Sequence, residues 1–384
     1  MRKSAIKKIL YITGSRADFG RAYYILKAIK DHPYFKLHII ATSMHLTPEF
    51  GYTIKEVEEK FHVDERVDML LCGDEGSAMA KSFGIGIVGI TQSIEKIAPD
   101  LTLLLGDRGE MLAGAIACRH LNIPIAHIGG GYLSGSIDDY IRDAITVFSD
   151  FHFVASKRCF ERVISIGADP LKTYIVGAPD LEAIRKKDFS EPGDVAQKLG
   201  IRISSPLILV SYHPVTEKIE ESEDNMETIC ESVVGFCEEV IGPERAQVII
   251  TYPNADAGGR RIIKVIRKYA KFPFVQIHRH IPYKLYLGLM NLASVMVGNS
   301  SAGLIEAASF GLPVVNIGER QKGRERAMNV IDVRCKKEEI IEAIKRAVFD
   351  EEFIERANSC VNPYGDGDTS GRIMRMLEDN FLIK

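Results

Sequence analysis

The 384-residue chain contains no run approaching the 18 to 20 consecutive apolar residues of a membrane-spanning helix. Its basic N-terminal start leads only into the short apolar stretch Ile9 to Ile12, far less than a secretory leader needs. No C-x-x-C pair occurs. The seven cysteines (Cys72, Cys118, Cys159, Cys230, Cys237, Cys335, Cys360) are dispersed and odd in number, which reads as reduced thiols in a cytoplasmic protein and speaks against a zinc site. An excess of either charge is also missing: 49 Lys and Arg against 52 Asp and Glu leave a formal charge of -3, so no global basic field gathers nucleic acid or anionic lipid. Any anion binding must be local. Repeats shorter than a domain and low-complexity tracts are absent as well.

What is present is the composition of a soluble globular protein, 46% hydrophobic and 26% charged, in a chain long enough for two domains. Continuous apolar runs alternate with stretches of helical period: KILYIT, KLHIIAT, VDMLL, LTLLL, IPIAHI, FHFVAS and TYIVGAP in the first half. Continuous rather than alternating apolar strands, separated by helices, indicate a parallel sheet covered on both faces. The pattern restarts with LILVSY, a long helix expected over Glu217 to Val240, then QVIITY, FVQIH, SVMVG and PVVNI. The expected fold is α/β, two Rossmann-like doubly wound parallel-sheet domains facing across a cleft. The boundaries read as 1–182 for the first domain, 183–206 for a polar linker, 207–365 for a second, nucleotide-binding domain, and 366–384 for a C-terminal helix returning to the first domain.

Two motifs mimic known sites. GIGIVG at 84–89 has the glycine spacing of a dinucleotide loop, but the strand before it ends near Leu71 and the glycines fall inside the helical pattern Ala78 to Ile97, so close helix packing is the reading. Asp366-Gly-Asp368 resembles a metal-binding D-x-D, yet lies in a Gly-rich stretch just before the final helix; a solvated turn and N-cap is expected. No metal and no cofactor are expected.

The informative residues follow predicted strands. Arg16, Ala17 and Asp18 lie after the first; Asp107, Arg108 and Glu110 after LTLLL; HIGGG at 127–131, with Asp139 and Arg142 beyond, after IPIA; His213 after LILVSY; Asn254 after QVIITY; Gly298 to Ser301 after SVMV. Carboxyl ends of strands are where open α/β sheets bind ligands. Gly298 lets a phosphate approach the backbone, Ser300 and Ser301 offer donors on the first turn of a helix whose dipole favours an anion, and Glu306 can take the hydroxyls of a ribose. An N-capped helix with one exposed acid is the plainer alternative. Arg16, Arg108 and Arg320 supply the forked donors diphosphates favour, or else make surface ion pairs.

The segments TGSRADFG (13–20), LGDRGE (105–110), HIGGG with DDYIR (138–142), YHPVT (212–216), PNADAG (253–258), GNSSAGLIE (298–306), NIGERQKGR (316–324) and NPYGDG (362–367), in this order, resemble the hydrolysing UDP-N-acetylglucosamine 2-epimerases of the sialic and legionaminic acid pathways. The resemblance implies the two-domain arrangement called GT-B, a homodimer or homotetramer, a UDP-sugar as partner, and release of UDP and a 2-epimeric sugar such as N-acetylmannosamine without metal or nicotinamide. By motif, Arg16, Ala17, Arg108, His213, Asn254, Ile281, Ser300, Ser301, Glu306 and Arg320 fall on nucleotide-binding positions, and Asp107, Asp139 and His213 on those proposed for catalysis. Asp18 and Glu110 join the substrate-binding set from the same two loops. Three positions depart from the usual pattern: Gly129, Tyr132 and Asp143. A glycosyltransferase of the same fold, a catalytically inactive nucleotide-sugar binder and a non-hydrolysing epimerase are the alternatives.

Overall fold

A computed structural model describes residues 6–48, 51–71, 76–133, 137–253 and 258–382. They divide into two compact units, one comprising 1–132, 137–182 and 367–384, the other 133–136 and 183–366. Asn254 and Cys72 lie outside the described residues; the other six cysteines are free thiols.

The first unit is a parallel sheet of β1 (Lys7–Thr13), β2 (Phe35–Thr42), β3 (Glu65–Val67), β4 (Leu101–Leu105), β5 (Ile125–Ile128), β6 (Phe151–Val154) and β7 (Thr173–Ile175), ordered β3-β2-β1-β4-β5-β6-β7. Both faces are covered, as continuous apolar strands require. In β1, Ile9 and Tyr11 enter one core with Phe19, Ile25 and Leu26, whereas Leu10 and Ile12 enter another with Ile90, Ile94 and Met111. Helix Thr369–Phe381 adds Ile373, Met376 and Leu377 to the first of these cores. Its N-terminus is held by buried Glu182, which accepts from the Ser370 amide at 2.9 Å and from the Ser370 hydroxyl.

The second unit carries β8 (Leu207–Ser211), β9 (Gln247–Thr251), β10 (Val275–His278), β11 (Val295–Gly298), β12 (Val314–Ile317) and β13 (Val330–Val333), also parallel, in the order β10-β9-β8-β11-β12-β13. Ile208, Val210, Val248, Ile250, Val295 and Val297 pack beneath helices Ser222–Phe236, Gly259–Lys268 and Lys337–Phe349.

Four local expectations change. VDMLL is not a strand throughout: pairing stops at Val67, Leu70 and Leu71 are exposed, and the Leu71 amide turns to Ser82 Oγ at 2.9 Å, because Gly76–Ile97 crosses here. The segment 183–206 is structured within the second unit, with helix Pro192–Leu199 ended by left-handed Gly200 and Ser190 bonded through its amide to the Lys284 carbonyl at 3.0 Å. The long helix after His213 is broken into a 3-10 segment Thr216–Glu221, the α-helix Ser222–Phe236 and a π-turn Cys237–Ile241. Asp368 heads the last helix without capping it; its carboxylate pairs with Arg375 at 3.2 Å and Asp366 with Arg185 at 3.3 Å. GIGIVG does lie inside a helix. A Cβ on Gly86 would approach Met69 Cε to 2.7 Å and one on Gly89 would approach Val67 Cγ1 to 2.5 Å, so these glycines serve close packing.

Candidate active site

Each sheet reverses its strand order once, between β1 and β4 in the first unit and between β8 and β11 in the second. Chains leaving two adjacent strands in opposite directions open a crevice at their carboxyl ends, which is where such folds take ligands. The segments after these four strands carry ten of the fourteen expected residues; in sequence, Asp139 follows β5, Asn254 β9, Ile281 β10 and Arg320 β12.

After β1, Ser15 caps helix Arg16–Asp31 and Asp18 closes a capping box. The Asp18 carboxylate accepts from the amides of Gly14 and Ser15 at 3.1 and 2.8 Å, from Ser15 Oγ at 2.9 Å and from Thr13 Oγ1. It is 3% exposed, so it holds the loop rather than reaching a ligand. Burial pushes its carboxyl up, opposed by the Thr13, Ser15 and Gly14 hydrogen bonds. His45 backs the loop, with Nε2 3.0 Å from Thr13 Oγ1 and Nδ1 2.7 Å from Thr53 Oγ1. Since Thr13 spends its proton on Asp18, His45 must donate through Nε2 and accept at Nδ1. Burial holds this imidazole neutral, its pKa pushed down to about 4. Arg16 and Ala17 are exposed on the first helical turn, and Arg16 is ion-paired with Glu56.

After β4, Gly106 takes a positive φ of 86° and turns the chain. Its carbonyl lies 2.8 Å from Nε2 of buried His127, whose Nδ1 lies 3.0 Å from Thr146 Oγ1. Burial drives His127 down to about 4, so a neutral ring ties the turn to helix Ile137–Phe148. Glu110 is directed inward, 3% exposed, and accepts from Arg108 Nε at 2.7 Å. Glu110 in turn keeps half-exposed Arg108 cationic, against the opposing effect of burial.

Asp107 and Asp139 come together on one guanidinium. Arg142, with its side chain 3% exposed, donates through Nη1 to Asp139 Oδ1 at 2.6 Å and to the Tyr132 carbonyl at 2.7 Å, and through Nη2 to Asp107. The i, i+3 spacing of Asp139 and Arg142 on one helix makes half of this arrangement, and the β4 turn delivers the rest. Two carboxylates on one guanidinium leave, formally, one negative charge in excess. Asp143 accepts instead from Arg162 Nη2 at 2.5 Å.

In the second unit, Gly298 is extended into positive φ (140°) beside β8, where a Cβ would lie 2.0 Å from the Ser211 carbonyl oxygen. Asn299, 1% exposed, then reaches across to His213: its Oδ1 accepts from the His213 amide at 2.7 Å and its Nδ2 donates to the His213 carbonyl at 2.9 Å. The Asn299 carbonyl accepts from Arg320 Nη1 at 3.2 Å and Gln321 Nε2 at 2.8 Å. His213, Ser300, Ser301 and Arg320 are thereby assembled around one residue. The helix that follows is shorter than expected: one α-turn, Ala302–Ile305, then the 3-10 segment Ala307–Phe310, with Glu306 at the joint. Its dipole is accordingly small, and the Ser300 and Ser301 amides, which precede the first intrahelical donor at Gly303, together with Arg320, are the groups left to hold an anion. Glu306 is 7% exposed. Burial and then the Glu306 charge push the Tyr286 phenol well above its ordinary pKa, while Tyr286 bonds Ser211. Ile281 is buried at 8% exposure.

Arg142, Asn299, Gln321 and His127 all sit within the quoted DDYIR, GNSSAGLIE, NIGERQKGR and HIGGG segments, but the sequence gives none of them a role of its own. Among the described residues no trio of His, Cys, Asp or Glu is placed to hold a metal ion, and no helix is long and apolar enough to cross a membrane.

Two successive doubly wound parallel units, each with polar loops at its strand-order reversal, define the GT-B fold class. Residues 27–378 match the UDP-N-acetylglucosamine 2-epimerase family, and the chain belongs to it. It is 37% identical over 374 residues to the UDP-N,N'-diacetylbacillosamine 2-epimerase (hydrolyzing) of Legionella pneumophila, covering 97% of this chain and 96% of the relative. Identity to the GDP/UDP-N,N'-diacetylbacillosamine 2-epimerase (hydrolyzing) of Campylobacter jejuni is 32%, over 85% of this chain and 84% of that one. In fold, the chain superposes on the UDP-GlcNAc 2-epimerase from Neisseria meningitidis bound to UDP-GlcNAc with a TM-score of 0.80 at 18% identity, covering 97% of this chain and 100% of the other.

Proposed function

We propose that this protein is a hydrolysing 2-epimerase that converts a UDP-2-acetamido sugar to UDP and the free 2-epimeric sugar. The observation that carries the reading is the sharing of Arg142 by Asp107 and Asp139, two acid/base candidates held together in a chain of this family.

The C2 hydrogen of an aminosugar adjoins no carbonyl and is not acidic. It becomes removable as the C1–O bond to UDP breaks and the ring acquires positive charge. The anion turn at Ser300 and Ser301, with Arg320 and His213, has the donors to stabilise the departing diphosphate, each well-aimed donor contributing on the order of 3 kcal/mol. The electron pair of C1–O leaves with the diphosphate. A carboxylate, Asp107 or Asp139, takes the C2 proton, and a C1–C2 double bond forms. The negative charge in excess at Arg142 favours the cationic ring that precedes it. Water then adds its oxygen to C1 while C2 is re-protonated from the opposite face, which needs a second acid. His213 can supply that acid, giving C2 a proton that the adding water replaces, while the carboxylate sheds the abstracted C2 proton to solvent.

Arg16, Ala17, Arg108, Ile281, Glu306 and Asn254 remain nucleotide-side candidates in this proposal. Asp18 and Glu110 act through the loops they hold. The names of the Legionella and Campylobacter relatives favour a 2,4-diacetamido sugar over N-acetylglucosamine as substrate. A proton NMR time course with UDP-N-acetylglucosamine and UDP-N,N'-diacetylbacillosamine offered separately tests the reading. Free UDP with a 2-epimeric reducing sugar supports it. An intact UDP-2-epimer indicates the non-hydrolysing reaction, release only in the presence of an acceptor indicates a glycosyltransferase, and tight binding without turnover indicates a sensor.

A further inference from the structure

We infer that Asn299 is the positioning residue for His213, an inference that rests on the reaction proposed above. β8 ends at Ser211, so the backbone of His213 has left the sheet. Its amide and its carbonyl are instead both taken by the Asn299 side chain, at 2.7 and 2.9 Å. A primary amide is the side-chain group that copies a peptide, donor and acceptor side by side, and so pairs with both backbone groups of one residue. Pro214 restricts His213 further, since the residue before a proline is confined to extended backbone. The backbone that carries the imidazole is thus fixed from two sides.

The same residue fixes the rest of the cluster. Its carbonyl anchors Arg320 and Gln321, its amide is bonded to the Ser211 carbonyl at 3.1 Å, and the next two residues are Ser300 and Ser301. These contacts are made by the Asn299 backbone and survive a change of its side chain, so a side-chain substitution falls on the imidazole. Asp keeps the acceptor for the His213 amide and loses the donor to its carbonyl, Ala loses both, and Gln is longer by one methylene.

The test uses full-length protein carrying Asn299→Ala, Asn299→Asp, His213→Ala and the paired changes, with the UDP-sugar that the wild type turns over. Asn299→Ala is expected to lower kcat at least tenfold alone, and by less than twofold further when added to His213→Ala. An unchanged kcat, or a full tenfold loss on top of His213→Ala, overturns the inference. If Asn299→Ala does not fold, Asn299→Asp takes its place in the same cycle. The ring signals of His213 in ligand-free protein labelled with 15N-histidine need no turnover: displacement in Asn299→Asp is expected, and superimposable signals overturn the inference while leaving the epimerase reading intact. Displaced signals in a protein that releases no UDP from either UDP-sugar overturn the reading and leave the clamp standing.

Discussion

Gly14 sits against Glu110: a Cβ on Gly14 would lie 2.0 Å from Glu110 Oε1. Gly14 lies in the loop after β1 and Glu110 on the first turn of helix Gly109–His120 after β4, the two strands flanking the order reversal of the first unit, and Glu110 also holds Arg108. The glycine is thus a spacing element for an acid that orients a guanidinium.

Gly14→Ala should drive the Glu110 carboxylate from its place and release Arg108. We predict at least a tenfold loss in kcat/KM for the UDP-sugar, with the loss mainly in KM. Steady-state kinetics check this; unchanged KM would remove Arg108 from the substrate site.

Asp107→Asn should keep UDP binding, read by calorimetry, and abolish deuterium incorporation at C2 in heavy water. Arg142→Lys replaces a fork that holds two carboxylates by a point charge and is expected to lower kcat at least a hundredfold. Full exchange in Asp107→Asn would exclude Asp107 as the base.

Ser301→Ala combined with Glu306→Ala should weaken UDP binding at least tenfold, about 1.4 kcal/mol. Unchanged calorimetric affinity would count against the anion turn.

His45, His127 and His152 are all buried and neutral, with pKa values pushed down from 6.5 to about 4. The unfolded chain binds protons at these sites below pH 6.5 and the folded protein does not, so stability is full above that value and falls as pH drops from 6.5 towards 4. Each site contributes about 1 kcal/mol per pH unit in that window. His152→Leu should flatten the pH dependence of the unfolding free energy, read from urea titrations between pH 6 and 4.5, by about 1 kcal/mol per pH unit. An unchanged slope would contradict a neutral buried His152.

Leu377 lies at 0% exposure in the core shared with Phe19 and Ile25. Leu377→Ala should cost about 2–5 kcal/mol of the first unit's stability, measured by denaturant unfolding.

The two parallel sheets are legible because buried strands are continuous apolar runs. VDMLL carries the same run, yet Met69 belongs to a packing contact with Gly86, a partner distant in sequence. The shortness of the helix after Gly298 is not legible, because composition does not reveal where a 3-10 segment begins. Position alone makes Asp18 and Glu110 substrate-binding candidates, but both are buried, because which way a carboxylate faces depends on the backbone beside it. Asn299 and Arg142 act on backbone groups and acids brought near by the fold, up to 86 residues away for the Asn299–His213 pair, and no local pattern records that.

The central claim is that C1–O cleavage makes the C2 hydrogen removable. Incubating the enzyme and its UDP-sugar in heavy water and following both products by NMR tests it most directly. The account predicts UDP and 2-epimer appearing at equal rates, with one deuterium at C2 of every released sugar. A released 2-epimer that retains protium at C2 would contradict it.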